Sequence, residues 1–143
     1  SMSTTLGTGT RYTAAETAIN TVLTKYDGRW PIGMTIFPED EYTCSSYLVT
    51  QPVISSKKTI QDALKLAGPG GLTPTAITIG DVAKLSGLKD KTRAQYAILL
   101  TDGGPNCSSA DTCNGTVTAL TKALAQDPPI NTFVVGFGGG LSE

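Results

Sequence analysis

The first candidate for a functional residue is an aspartate that directly follows a run of apolar residues. Residues 97–107 read AILLTDGGPNC, and four apolar residues in succession precede Thr101, Asp102 and Gly103. Such a run is typical of a central parallel strand covered on both faces. Ligands and ions bind at the carboxyl edge of open α/β sheets, so Asp102 is predicted to present its carboxylate there. An Asx turn before Gly103 is the structural alternative for the same residue.

A threonine ahead of a predicted helix is the second candidate. The segment GPGGLTPT, residues 68–75, is a glycine-rich loop, and Pro74 suits the first turn of the helix that follows. Thr73 then stands at the N-cap position, where its hydroxyl fits either of two roles. It could cap backbone amides, or it could coordinate a cation at the edge of a sheet. The loop lacks the Lys-Ser/Thr ending of a phosphate-binding P-loop, which argues against nucleotide binding.

Three cysteines, Cys44, Cys107 and Cys113, bear on redox chemistry. Cys107 and Cys113 bracket a short polar loop, and their spacing is not the C-x-x-C of zinc sites. This spacing favours a loop-closing disulfide between Cys107 and Cys113, which implies an oxidising compartment. Two reduced thiols are the alternative. Cys44 is then either a free thiol or the partner of a cysteine outside this segment.

Composition excludes several classes of function. The chain of 143 residues contains no histidine, which excludes a Ser-His-Asp or Cys-His catalytic system and a histidine-ligated zinc site within it. A hydrophobic content of 39% and a charged content of 16% are those of a globular protein. The net charge is −1 with no basic run, so we expect no nucleic-acid partner. No apolar segment approaches the ~20 residues of a membrane span.

Hydrophobic periodicity and turn residues predict the elements that must position these side chains. Apolar residues at helical spacing predict helices over residues 11–26, 56–67, 74–86 and 116–126. Apolar runs bounded by proline, glycine and polar turns predict strands over residues 30–38, 47–55, 97–100 and 130–138. Pro52 makes the second of these an edge strand, because proline cannot donate a ladder hydrogen bond.

The order of these elements indicates the fold class. It is α-β-β-α-α-β-α-β, which predicts a doubly wound, mostly parallel α/β sheet with helices on both faces and one antiparallel edge strand. We expect a single domain over residues 1–143, a length sufficient for a hydrophobic core. The pattern is unusual for this class, since it begins with a loop and a helix and ends on a strand without a closing helix.

Five segments are informative as a set: SMS (residues 1–3), WPIGMTIFP (30–38), LTPT (72–75), LLTDG (99–103) and TFVVGFG (132–138). Together they resemble a von Willebrand factor type A domain, the fold also known from integrin I domains. The resemblance covers essentially the whole chain. Such domains carry a metal-ion-dependent adhesion site, built from an Asp-x-Ser-x-Ser loop, a threonine of a second loop and an aspartate after a central strand.

The resemblance implies a set of metal ligands. Thr73 matches the threonine of the second loop, and Asp102 matches the aspartate after the central strand. Ser1, followed by Met2, matches the last serine of the first motif; in a second register Ser1 and Ser3 are its two serines. In either register the leading aspartate and the strand before it would lie upstream of residue 1. Ser1–Met2 is equally explained as a remnant of cloning.

The ion implied by the resemblance is Mg²⁺, with Mn²⁺ and Ca²⁺ as alternatives. These hard cations prefer oxygen ligands, and neutral hydroxyls leave the ion able to accept a carboxylate from a partner. Without the leading aspartate, this segment is expected to bind the ion weakly or not at all. Without the upstream strand, we expect neighbouring strands to close up, a second chain to lend a strand, or two copies to exchange elements.

The function implied is that of an adhesion or ligand-binding module of a secreted or cell-surface protein, not an enzyme. Its partner would be a protein or matrix component that offers an acidic residue. One alternative is an intracellular scaffold of the same fold that organises an assembly without a metal. An enzyme of flavodoxin-like or hydrolase type is disfavoured, because the chain lacks histidine, a G-x-S-x-G elbow and a P-loop.

Overall fold

The computed structural model describes residues 2–137 and divides them into two compact units, each with an apolar core. The first unit combines residues 2–35 with 48–70, and the second combines 36–47 with 71–137. Both units are therefore discontinuous in sequence. The segment 36–47, predicted as part of a strand and a polar turn, belongs to the second unit although the residues on either side of it belong to the first.

The fold is mixed α/β, as predicted. The helices are α1 (Arg11–Tyr26), α2 (Lys57–Leu66), α3 (Thr75–Val82) and α4 (Cys113–Ala125), with a 3-10 turn at Ser86–Leu88. The strands are β1 (Thr5–Leu6), β2 (Gly9–Thr10), β3 (Ile32–Ile36), β4 (Tyr47–Val53), β5 (Gln95–Thr101) and β6 (Ile130–Gly136). Most of these elements match the predicted ones within a few residues. The short β1–β2 hairpin falls where a loop was expected.

The strands form two-stranded sheets, β1–β2, β3–β4 and β5–β6, over the described residues. In the last of these, β5 and β6 run parallel, with Gln95 opposite Ile130 and Thr101 opposite Gly136. Helix α4 is the crossover between them, so β5, α4 and β6 form a βαβ unit. Within residues 2–137 the structure thus contains one part of the predicted architecture, a parallel pair with its helix, and not a continuous doubly wound sheet.

The first unit is organised by helices α1 and α2. Helix α1 has the predicted bounds, and Thr10 forms a capping box with Thr13, in which each side chain satisfies the other residue's backbone amide. Leu23 of α1 packs with Ile60 and Leu64 of α2 in a core that β3 and β4 also contact. The apolar stripe predicted for the second helix is confirmed at both of its buried positions.

The core of the second unit lies between α3, α4 and one face of the β5–β6 sheet. Its buried members are Ile79, Leu88, Leu99, Ala123 and Ile130. Helix α4 begins three residues earlier than predicted, because the Thr112 hydroxyl accepts a hydrogen bond from the Gly115 amide and caps the first turn. Periodicity missed this turn, since Cys113–Asn114–Gly115 carries no helical apolar pattern.

The opposite face of the β5–β6 sheet is exposed, which corrects the prediction of a strand covered on both faces. Leu99 is buried, whereas its neighbour Ile98 is 63% exposed. Tyr96 and Phe133 are also exposed on that face, where their rings stack at 6.1 Å between centroids. Side chains alternate between the faces of a strand, and among the described residues only one face of β5 is covered. An apolar run alone cannot report how many faces are covered.

Among residues 2–137, no helix combines the length and the apolar character needed to cross a bilayer. The longest helix, α1, has 16 residues and carries charged side chains along its length. This matches the absence of a long apolar run in the sequence.

Candidate functional site

Thr73 lies in the loop before α3, and that loop is joined to the one that follows β5. The Thr73 amide donates a hydrogen bond to Asn106 Oδ1 at 2.8 Å, and the Asn106 amide donates to the Thr73 carbonyl at 3.2 Å. Asn106 lies four residues after Asp102 in the same loop. The reciprocal pair of bonds therefore holds together the two loops from which the sequence predicts metal ligands.

Helix capping does not explain Thr73. The N-cap residue of α3 is Pro74, which makes no side-chain cap, so the predicted N-cap position of Thr73 is one residue off. The carbonyl of Thr73 accepts a hydrogen bond from the Thr75 amide at 2.9 Å, and the residue is half-buried. The alternative in which the Thr73 hydroxyl caps α3 is therefore wrong, and its role as a metal ligand stays a prediction.

Asp102 directly follows β5, at the carboxyl end of the parallel pair, as predicted from the sequence. It is half-buried, and the turn after it is held by the Thr101 hydroxyl, which donates to the Gly103 carbonyl at 2.9 Å. The serines predicted as further ligands are placed differently. Ser3 is exposed and belongs to the first unit, whereas Thr73 and Asp102 belong to the second; Ser1 lies outside the described residues.

The disulfide joins Cys44 to Cys107, across 63 residues of sequence, with 5.5 Å between their Cα atoms. The predicted Cys107–Cys113 bridge is wrong, and so is the expectation that Cys44 is free or pairs outside the segment. Cys113 is exposed and carries a free thiol as the first residue of α4. Nothing in the spacing of the cysteines indicates this pairing, because it depends on segment 36–47 folding into the second unit.

Asp111 is a buried carboxylate that sequence reasoning missed. It is 2% exposed, and its Oδ1 accepts hydrogen bonds from the amides of Ala76 and Ile77 at 2.9 and 3.3 Å. Its Oδ2 accepts one from the Ser108 hydroxyl at 2.9 Å. The negative charge is stabilised by the amino-terminal amides of α3, where the helix dipole favours an anion. In the sequence, Asp111 is only one more acidic residue of a polar turn.

The carboxylate of Asp111 lies beside the disulfide. A carboxylate oxygen of Asp111 and the Sγ atoms of Cys44 and Cys107 all lie within 4.8 Å of one another. We call these three residues the Cys44–Cys107–Asp111 cluster. Its donor set differs from that of the Thr73 and Asp102 loops, since it combines two sulfurs with one oxygen, whereas the loops offer oxygen alone. Thiolate and carboxylate together form a ligand set that Zn²⁺ accepts in proteins.

The family resemblance of this chain rests on short motifs. Comparisons of the chain with protein-family models, with curated proteins and with solved structures found no match. A likeness to a known family therefore adds nothing to the geometry described above. The features of the described residues that bear on function are the two joined loops, the exposed sheet face and the Cys44–Cys107–Asp111 cluster.

Proposed function

We propose that this chain is an adhesion or ligand-binding module of the von Willebrand factor A type, which holds a divalent cation at the carboxyl end of β5. The observation that carries this proposal is the reciprocal hydrogen bonding of Thr73 and Asn106, which joins the loop of Thr73 to the loop of Asp102. Two residues far apart in sequence thereby come to lie on adjoining loops. Such convergence is expected of a ligand-binding edge in an α/β fold.

The chemistry proposed for this site is that of a hard cation. Asp102 supplies a carboxylate and Thr73 a hydroxyl, both of which suit Mg²⁺, Mn²⁺ or Ca²⁺. With few anionic ligands, the cation keeps enough positive charge to accept a carboxylate oxygen from a partner protein or a matrix component. The module would bind its partner through that bond and catalyse no reaction.

The fold and the location are proposed on related grounds. The β5–α4–β6 unit is the kind of unit from which doubly wound sheets are built, so we infer a fold of that class. Further elements, from a second chain or by exchange between two copies, would cover the exposed apolar face of this unit. The Cys44–Cys107 disulfide favours an oxidising location, such as the cell surface or the extracellular space.

A second candidate function is protein binding without a metal. The exposed face that carries Tyr96, Ile98 and Phe133 favours it, because both faces of a parallel sheet are ordinarily covered. In this role the chain would act as a scaffold, and its apolar sheet face would be the contact surface. The two candidates differ in whether Asp102 and a cation are needed.

Paramagnetic Mn²⁺ is the probe that tests the first candidate, because it broadens nearby amide resonances even when it binds weakly. We expect substoichiometric Mn²⁺ to broaden the amides of Leu72, Thr73 and residues 101–103 first, and Mg²⁺ in excess to reverse the effect. Asp102→Asn, which preserves the shape of the side chain, should abolish this selective broadening. Asp40→Asn, at an exposed acidic turn, is the matched control and should leave it intact.

The opposite results would overturn the proposal. Equal broadening in the wild-type protein and in Asp102→Asn would mean that Asp102 is not a ligand. Broadening confined to the acidic residues 39–41 would assign the ion to a solvated turn. Either result would leave metal-independent binding through the β5–β6 face as the function to pursue.

A further inference from the structure

The Cys44–Cys107–Asp111 cluster brings two sulfurs and a carboxylate oxygen together, whereas the cation site proposed above offers oxygen alone. We propose that reduction of the Cys44–Cys107 disulfide converts this cluster into a Zn²⁺ site, with two thiolates and the Asp111 carboxylate as ligands. The loops that carry Cys44 and Cys107 would then be joined in both states, by a disulfide when oxidised and by the metal when reduced. This inference does not depend on the proposed adhesion site.

The distances in the cluster suit a tetrahedral zinc ion after a small adjustment. Zn–S bonds of about 2.3 Å and Zn–O bonds of about 2.0 Å place neighbouring ligand atoms about 3.5–3.8 Å apart. The three donor atoms already lie within 4.8 Å of one another. Cleavage of the S–S bond lets the two sulfurs move apart to the spacing that zinc requires. Since the oxygen lies within 4.8 Å of both sulfurs, it has to approach them by no more than about 1.3 Å to complete three bonds.

Asp111 is held in a position to bind a metal. Its Oδ1 accepts hydrogen bonds from two amides of α3, which fix the orientation of the carboxylate. Its Oδ2 accepts a bond from the Ser108 hydroxyl, and a carboxylate oxygen has two lone pairs, so one of them is available to a cation. Hydrogen bonds of this kind orient metal ligands and sustain metal affinity in known sites.

The buried charge is the same in the two states. In the oxidised protein the cluster carries the single negative charge of Asp111, which the amino terminus of α3 stabilises. In the reduced, metal-bound form, the two thiolates add two negative charges and Zn²⁺ cancels both. The environment that stabilises the Asp111 carboxylate therefore also suits the zinc complex, without a further countercharge.

The chemical steps balance with a thiol reductant. Two thiol groups of the reductant are oxidised to one disulfide, and Cys44 and Cys107 each gain a hydrogen atom as their S–S bond breaks. Zn²⁺ then binds the two sulfurs and displaces their protons to water, with no further transfer of electrons. A protein with an exposed dithiol or a small-molecule thiol could serve as the reductant.

Co²⁺ is a spectroscopic probe for such a site, because thiolate coordination to it produces a charge-transfer absorption band. After anaerobic reduction with a phosphine, we expect one Co²⁺ per chain to bind with this band, and Zn²⁺ to displace it. The oxidised protein should show no band. Cys113→Ser should bind like the wild type, and Cys107→Ser should lose the band. Asp111→Asn should bind at least about tenfold more weakly, since that is the loss seen even when only a residue orienting a ligand is changed.

X-ray absorption of the zinc-loaded wild-type protein tests the ligand set even if Asp111→Asn does not fold. Two sulfurs with oxygen in the remaining positions would support the site. Three sulfurs would assign Cys113 as a ligand and overturn the proposed donor set. No binding after reduction, or binding that Asp111→Asn leaves unchanged in a folded protein, would overturn the proposal as well.

Discussion

In each of the two units, a side chain from far along the sequence forms hydrogen bonds with the backbone at one end of a helix. The side chain is neutral and lies at a carboxyl end in the first unit, whereas it is charged and lies at an amino end in the second. In the first unit, the Tyr12 hydroxyl donates to the carbonyls of Leu64 and Ala67 at 2.6 and 3.0 Å, at the carboxyl end of α2. These contacts span 52 and 55 residues. A neutral, half-buried phenol thus satisfies carbonyls that have no partner within the helix.

In the second unit, the side chain at the helix end is a charged one. Asp111 accepts hydrogen bonds from the first free amides of α3, 34 and 35 residues away in sequence, and it is 2% exposed. The sign of its charge matches the positive end of the helix dipole. A deeply buried anion needs such partners, since its desolvation would otherwise cost several kcal/mol.

The difference shows that the two units depend on different kinds of interaction. The first relies on apolar contacts around Leu23 and Ile60, with the Tyr12 hydroxyl as an addition at the edge. The second has an apolar core as well, but a disulfide and a buried carboxylate fix its loops. We therefore expect single changes of polar or covalent groups to affect the second unit more than the first.

Removal of the disulfide should have the largest effect. In the double variant Cys44→Ser, Cys107→Ser, we expect the free energy of unfolding to fall by about 4 kcal/mol, because the unfolded chain regains the entropy of an open loop of 63 residues. Chemical denaturation in a chelating buffer measures this loss. Cys113→Ser is the control and should leave stability unchanged. An equal loss in the control would contradict the Cys44–Cys107 pairing.

Asp111→Ala should have the next largest effect. It leaves two amides of α3 and the Ser108 hydroxyl without their acceptor, which we expect to cost about 3 kcal/mol. Hydrogen exchange should accelerate in α3 and remain unchanged in α2. Asp111→Asn keeps an acceptor oxygen, so its loss should be smaller. Acceleration that is equal in both helices would mean that the cap acts on the whole chain and not on the second unit.

Tyr12→Phe should have the smallest effect, about 1 kcal/mol, because it removes one hydroxyl from a half-buried site. Here the pattern of exchange should be reversed, with faster exchange at the carboxyl end of α2 and no change in α3. Tyr26→Phe, in the same helix, is the matched control. If the control accelerated α2 equally, the hydrogen bonds of Tyr12 would not be the cause.

We also expect the contribution of the Tyr12 hydroxyl to stability to depend on pH. Burial, and secondarily the negative charge of Glu16, raise the pKa of Tyr12 above its ordinary value of 10.0. The unfolded chain therefore loses this proton first, and the stabilising contribution is complete below pH 10.0 and lost as pH rises through the folded pKa. The stability difference between the wild type and Tyr12→Phe should shrink above pH 10.0. A constant difference would argue against a buried donor.

Local patterns accounted for much of the fold. The bounds of α1 follow from apolar spacing and from Thr10, which caps the helix together with Thr13, three positions further along. The position of Asp102 at the end of β5 follows from the apolar run and the glycines after it. These features depend on residues close together in the sequence, so a single amino-acid sequence is enough to predict them.

The predictions that were wrong or missing share a different origin. The Cys44–Cys107 pairing, the role of Asp111 and the exposure of Ile98 each depend on residues more than thirty positions away or on how many faces of a sheet are covered. The short spacing between Cys107 and Cys113 led to the prediction of a bridge between them, but Cys113 is the first residue of helix α4. The ligand roles of Ser1, Ser3, Thr73 and Asp102 stay predictions.

The four helices, the four longer strands and the position of Asp102 could be predicted from the amino-acid sequence alone, because helix capping and apolar periodicity are properties of short segments. Which distant groups come into contact depends on the tertiary fold. It placed segment 36–47 in the second unit, bound Cys44 to Cys107 and set Asp111 against the amino terminus of α3. Many chain paths can join the same elements, and burial, loop closure and the satisfaction of polar groups select among them.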